Sequence, residues 1–166
     1  SSAASDVYKR QPLYYQYKST GRPYANSGWC AKYIDIPSEP AYPFAFGLSY
    51  TTFEYSALKV LPGDGGKVHA RVRVEVKNTG RYEGEEVVQL YVRDEAASIT
   101  RPVKELKGFE KIALKPGESK EVVFDITDEQ LGFYDNRMNF VVEKGDFTFM
   151  VGTNSRDVDS VSYTLL

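Results

Sequence analysis

The stretch Lys67-Val68-His69-Ala70-Arg71-Val72-Arg73-Val74-Glu75-Val76-Lys77 (KVHARVRVEVK) decides the fold. In an extended chain Val68, Ala70, Val72, Val74 and Val76 point one way. His69, Arg71, Arg73, Glu75 and Lys77 point the other. A period of two, apolar against charged, is the pattern of a strand with one face buried and one face in water. Pro62-Gly63-Asp64-Gly65-Gly66 breaks the chain before it, and Asn78-Thr79-Gly80 turns the chain after it.

The same pattern recurs on both sides. Thr52 to Leu61 (TFEYSALKVL) reads as a first strand. Glu86 to Arg93 (EVVQLYVR) places Val88, Leu90 and Val92 on one face. Val103 to Leu114 (VKELKGFEKIAL) is a strand pair or one bent strand, with Gly108 suited to a bulge. Lys115-Pro116-Gly117-Glu118 is a turn, and Lys120 to Thr127 then alternates Val122, Phe124 and Ile126 inward. Thr127 followed by Gln130 has the spacing of a capping box, so one short helical turn is expected there. A hairpin around Asp135-Asn136-Arg137, a strand from Asp146 to Gly152 and a last strand from Val158 complete the series. Roughly seven or eight strands at a spacing of about 8–12 residues argue for an all-β antiparallel sandwich.

Upstream the composition changes. Pro12 to Tyr50 holds Tyr14, Tyr15, Tyr17, Tyr24, Trp29, Tyr33, Tyr42, Phe44, Phe46 and Tyr50, interrupted by Pro12, Pro23, Pro37, Pro40 and Pro43. Prolines at that density exclude helices and central strands. A solvated linker would be rich in Gly, Ser or charge, so this segment reads as an extended arm that plugs its rings into a surface. Residues 1–11 (SSAASDVYKRQ) have no periodicity and read as a cloning, assembly or sequencing scar. The expected division is therefore 1–11 scar, 12–50 arm and 51–166 sandwich.

With 166 residues the chain has room for one domain and an extension. The formal net charge is -2 and no Lys/Arg block exceeds two residues, which argues against nucleic-acid binding. No apolar run approaches the length of a bilayer span. One cysteine, Cys30, and one histidine, His69, can form neither an internal disulfide nor a zinc site.

Candidate chemistry is sparse. Hydrolysis of a glycosidic bond takes two facing carboxylates. The pairs Glu85-Glu86, Asp94-Glu95 and Asp128-Glu129 each fit a solvated surface equally well. His69, the one possible base of a Ser-His-Asp set, lies on the polar face of a regular strand, where a solvated side chain is the plainer reading. Asp157 and Asp159 lack further ligands for calcium. No phosphate loop is present. The arm's rings are the one feature suited to a ligand, since aromatic faces stack on sugars. Tyr24 and Trp29, in its loosest part, are the candidates for that contact; the plainer reading is that the rings pack the arm onto a neighbouring domain.

The ordered set of motifs then points further. Tyr42-Pro43-Phe44-Ala45-Phe46-Gly47-Leu48-Ser49-Tyr50-Thr51-Thr52-Phe53 resembles the Y-P-F-G-[YF]-G-L-S-Y-T-x-F junction of glycoside hydrolase family 3. Val76 to Gly80 resembles its V-x-N-T-G, and Glu83 to Tyr91 its G-x-E-V-V-Q-L-Y. Arg101 to Phe109 resembles R-P-x-K-x-L-K-G-F. Leu114 to Glu118, Phe133 to Asp135 and Gly145 to Gly152 also fit, and the likeness begins at Pro12. One departure is Ala45, where the family commonly has Gly; the methyl matters only if the backbone there needs positive φ.

The resemblance implies a fibronectin type III/immunoglobulin-like sandwich, preceded by an arm leaving an α/β domain. It implies a retaining parent that releases β-linked glucose or a related sugar from a non-reducing end, often periplasmic or secreted. In such enzymes a barrel domain supplies the aspartate nucleophile and the α/β domain the acid/base, so no catalytic residue is assigned within these 166 positions. No metal and no cofactor are implied. The expected role is a non-catalytic accessory domain packing on the catalytic domains of the same polypeptide, which take the oligosaccharide. The alternative is a carbohydrate-binding module that uses the arm's aromatic residues.

Overall fold

A ribbon of valines along one strand face is stable only when a second apolar face covers it. The computed structural model, which describes residues 14–18 and 39–166, supplies that cover. The strands are β1 (Phe53–Pro62), β2 (Val68–Asn78), β3 (Gly84–Asp94), β4 (Glu105–Leu114) and β5 (Ser119–Thr127). After one helical turn, α1 (Asp128–Leu131), follow β6 (Phe133–Tyr134), β7 (Phe140–Val141), β8 (Gly145–Gly152) and β9 (Val158–Leu165). Among the described residues, β1-β2-β5 form a three-stranded sheet and β4-β3-β8-β9 a four-stranded one. All pairings are antiparallel, and β6 and β7 close a separate small hairpin.

The core lies between the sheets. Ala70, Val72, Val74 and Val76 of β2 and Val122 and Ile126 of β5 face Val88, Leu90 and Val92 of β3. Phe147, Phe149 and Val151 of β8 complete the opposite face, with Ile112 and Leu114 of β4. Each of these Val, Leu, Ile and Phe side chains contributes about 1.5–3 kcal/mol on burial, which is why the alternation is so regular.

Two irregularities follow from side-chain phase. In β1 the inward positions slip from Phe53 and Tyr55 to Leu58 and Val60. The chain absorbs the slip as a bulge: Ala57 and Leu58 together oppose Val74, and Ala57 takes a φ of 53°. Val103 to Leu114 resolves into the single strand β4, with Lys107 as the extra residue of a bulge beside Gly108. A methyl on Gly108 would stand 3.3 Å from the Phe124 ring, so this glycine lets the sheets close. The capping box forms as the Thr127–Gln130 spacing predicts: Gln130 Oε1 accepts the Thr127 backbone N–H at 2.9 Å.

Two tyrosines tie the sheets together. The Tyr55 hydroxyl of β1 donates to Glu86 Oε1 of β3 at 2.7 Å, and the Tyr163 hydroxyl of β9 donates to the His69 carbonyl of β2 at 3.1 Å.

Candidate functional site

The face of β3 that points away from the core should be wet, yet Gln89 and Tyr91 on it are buried. The arm covers them. The Tyr15 ring meets Tyr91 edge-on with centroids 5.8 Å apart, and stacks on Phe44 at 4.3 Å. Backbone bonds fix both described parts of the arm. Val103 N–H donates to the Tyr17 carbonyl at 2.9 Å, beside a bridge between Lys18 and Pro102. Ser155 N–H donates to the Phe44 carbonyl at 3.0 Å.

Beneath the rings the polar groups are satisfied. The Tyr91 hydroxyl donates to Gln89 Oε1 at 2.6 Å, and Gln89 Nε2 donates to the Thr153 carbonyl at 2.7 Å. Burial pushes the Tyr91 hydroxyl well above the usual phenol range, so it stays a donor. Lys104 Nζ donates to the Ser155 carbonyl at 2.7 Å. Burial, then the Arg93 charge, hold its amine below the usual lysine range, with Glu39 opposing.

Two further clusters brace this seat. Arg101, with its side chain 6% exposed, donates to Asp94 at 3.2 Å, to Glu105 at 2.6 Å and to the Leu131 carbonyl at 2.8 Å. Its guanidinium also lies over the Phe133 ring, 4.9 Å from the centroid. One side chain thereby joins β3, β4, the end of α1 and β6. The buried Asn78 plays the same part at the far end. Its Nδ2 donates to the Tyr82 and Leu114 carbonyls, and its Oδ1 accepts from Thr51 and from Gly80 N–H. The Asn-Thr-Gly segment, read from sequence as a turn and a family motif, is the clamp that fastens Thr51, the residue that follows the arm, to the sandwich. Sequence reading missed both hubs, because an Arg and an Asn carry no period that marks them as buried.

Five of the six paired carboxylates suspected from sequence, all but Glu129, hold a partner among the described residues. Glu85 pairs with Lys111, Glu86 accepts from Tyr55, Asp94 holds Arg101, and Glu95 binds Arg93 and Thr148. Asp128 meets His69 Nε2 at 2.6 Å, so His69 is half-buried and partnered where a solvated side chain was the plainer reading. Its ring has no bond to a hydroxyl nucleophile among the described residues. Asp157 accepts from Asn154 Nδ2 at 2.9 Å. Among the described residues no group of three or more His, Cys, Asp or Glu gathers around a cation position, and none of their helices is long and apolar enough to cross a membrane. Tyr24, Trp29 and residues 1–11, which the sequence reads as a scar, lie outside the described residues.

The arrangement can therefore hold an arm and present a surface. Sheets β1-β2-β5 and β4-β3-β8-β9 with cross-sheet tyrosines define a fibronectin type III-like domain, and residues 86–155 match the family described as "Fibronectin type III-like domain". The periplasmic β-glucosidase of Salmonella typhimurium is 45% identical over 161 residues, covering 93% of this chain and 21% of that protein. A putative β-xylosidase of Formosa agariphila is 48% identical over 134 residues, covering 80% of this chain and 18% of that protein. The crystal structure of a β-glucosidase from Listeria innocua in complex with glucose superposes with a TM-score of 0.83 at 43% identity. It covers 92% of this chain and 22% of that one. The chain belongs to the fibronectin type III-like family and is the C-terminal domain of a glycoside hydrolase family 3 enzyme. It spans about a fifth of the length of the curated relatives it matches.

Proposed function

We propose that this domain is a non-catalytic buttress of a β-glucosidase-like hydrolase, with residues 12–50 as the arm that ties it to the catalytic domains and 51–166 as the body. The observation that carries the reading is the buried outer face of β3, where Tyr15 and Phe44 seat the arm over Gln89 and Tyr91. A surface built to hold a connecting segment sets the position of whatever that segment leads to. The parent releases terminal β-D-glucosyl residues, or a related sugar such as xylose, with retention. It works in the periplasm or outside the cell, as the name of the Salmonella relative suggests.

Two measurements test this. The purified chain is expected to leave a chromogenic β-glucoside unhydrolysed; turnover that survives re-purification would overturn the non-catalytic reading. Deleting residues 51–166 from the whole enzyme is expected to shorten its active half-life on heating. An unaltered half-life would rule out the buttress.

A further inference from the structure

A sheet edge leaves a row of backbone N–H and C=O groups without partners, and native chains guard such edges with charge, proline or a bulge. Four strands border the two sheets of the sandwich: β1 and β5 in one, β4 and β9 in the other. Three of them are guarded. β1 carries the Ala57 bulge, Lys59 and a terminal Pro62. β4 carries its bulge at Lys107 and a further lysine, Lys111. β5 carries Lys120, Glu121 and Asp125.

β9 (VDSVSYTL) has no Lys, Arg or Pro, and Asp159 is its one charge. Its register with β8 runs unbroken from Val158 opposite Gly152 to Leu165 opposite Gly145, so no bulge twists the edge away. Among the described residues no backbone hydrogen bond reaches its other side, not even from β1, which packs beside it. Val161, Tyr163 and Leu165 pack on the core yet stay half-buried. A strand laid alongside would cover them and satisfy the open backbone groups.

The sequence of β9 selects the partner. Laid antiparallel to itself about Ser162, the strand sets Val161 against Tyr163 and Ser160 against Thr164. A β-branched residue facing an aromatic ring, and two hydroxyls facing each other, are favourable cross-strand pairs. Asp159 then meets Leu165, so the one charge never faces its own copy. We infer that the free edge of β9 pairs antiparallel with the β9 of a second copy of this chain, so that one sheet runs through both. The contact is isologous and closes on itself, which limits it to a dimer. Eight residues a side bury a small area, so the dimer belongs to the transient class below about 1,200 Å². It uses neither the arm nor the face beneath it, and stands apart from the buttress reading.

The test works at the twofold axis, where the exposed Ser162 meets its own copy. Sedimentation velocity of the 166-residue chain up to about 1 mM is expected to show a concentration-dependent dimer. Ser162→Lys and Ser162→Glu, each alone, are expected to weaken it at least about tenfold, because like charges then meet. The melting temperature of each is expected to stay within about 2 °C of the parent chain. Mixing the two variants is expected to restore the dimer, since opposite charges now face each other. A chain that stays monomeric throughout overturns the inference. So does a dimer that survives both charges, or one abolished instead by Phe109→Glu on the exposed face of β4, because association then runs through another surface. A mixture no more associated than either variant overturns it too. A whole enzyme whose association Ser162→Lys leaves unchanged does the same, because the rest of the polypeptide then covers the edge.

Discussion

The Tyr55 hydroxyl reaches across the sandwich to Glu86 Oε1 at 2.7 Å, joining the two sheets through a half-buried carboxylate. Burial pushes the Glu86 carboxyl above the usual range, and the Tyr55 bond pulls part of the way back. Burial, then the Glu86 charge, raise the Tyr55 hydroxyl in turn, so the proton stays on the phenol.

The pH dependence follows from the sign of that shift. A glutamate raised in the folded state binds its proton before the unfolded chain does. Its ionised form opposes folding at neutral pH, and the opposition fades as pH falls through the folded value toward the unfolded value of about 4.3. Tyr55→Phe removes the bond that favours the ionised form, so it is expected to cost about 1.5–3 kcal/mol at pH 7.5. The cost shrinks near pH 5, where Glu86 is closer to neutral. Urea unfolding at the two pH values measures this, and an equal loss at both would contradict it.

Arg101 is the second test. Its guanidinium joins Asp94 and Glu105 with both the arginine and Asp94 nearly out of solvent. Removing one partner of such a cluster leaves the others desolvated and unpaired. Arg101→Met keeps the apolar stem and is expected to destabilise the domain by about 3–5 kcal/mol. The double variant Arg101→Met with Asp94→Asn should recover part of that loss, since less charge is stranded. A double variant no better than the single one would show that packing on Phe133, not charge, dominates.

How much of this was legible in the sequence depends on the kind of signal. The alternation at Val68 to Val76 announced its strand because burial repeats every second residue. The β1 bulge was also written there, as the slip from Phe53 and Tyr55 to Leu58 and Val60, but a single continuous strand over 52–61 passes over it. The hubs were not legible. Arg101, Asn78 and Gln89 are buried by residues distant in the chain, and only tertiary geometry supplies their partners. The same holds for the arm: its stickiness followed from composition, whereas its seat on Tyr91 required the sheet to exist.

The Asn-Thr-Gly clamp gives a steric test. A methyl on Gly80 would stand 2.1 Å from Thr51 Oγ1 and 2.8 Å from the Thr52 backbone nitrogen. The backbone atom cannot swing aside, so Gly80→Ala is expected to cost about 2–3 kcal/mol. Asn78→Asp keeps the shape but sets a carboxylate against the Tyr82 and Leu114 carbonyls, which now lack their donor. It is expected to cost at least about 2 kcal/mol. Thermal unfolding of both variants checks this, and a melting temperature unchanged in either would show that Thr51 is not clamped.

Ala45 is where the chain departs from the family motif, and its backbone has a φ of 61°. It is the third residue of the turn closed by Phe46 N–H on the Pro43 carbonyl at 3.1 Å. Positive φ at that position is the type II pattern, which favours glycine. An alanine there holds a strained conformation costing about 1–2 kcal/mol, part of which glycine would lose again to chain entropy. Ala45→Gly is therefore expected to strengthen the arm's hold on the sheet by up to about 1 kcal/mol. The readout lies next to it: the Ser155 amide, bonded to the Phe44 carbonyl, should exchange its hydrogen about fivefold more slowly. Ala45→Val, branched at Cβ and worse suited to positive φ, should exchange faster. Faster exchange in the glycine variant would mean that the methyl's contacts outweigh its backbone strain.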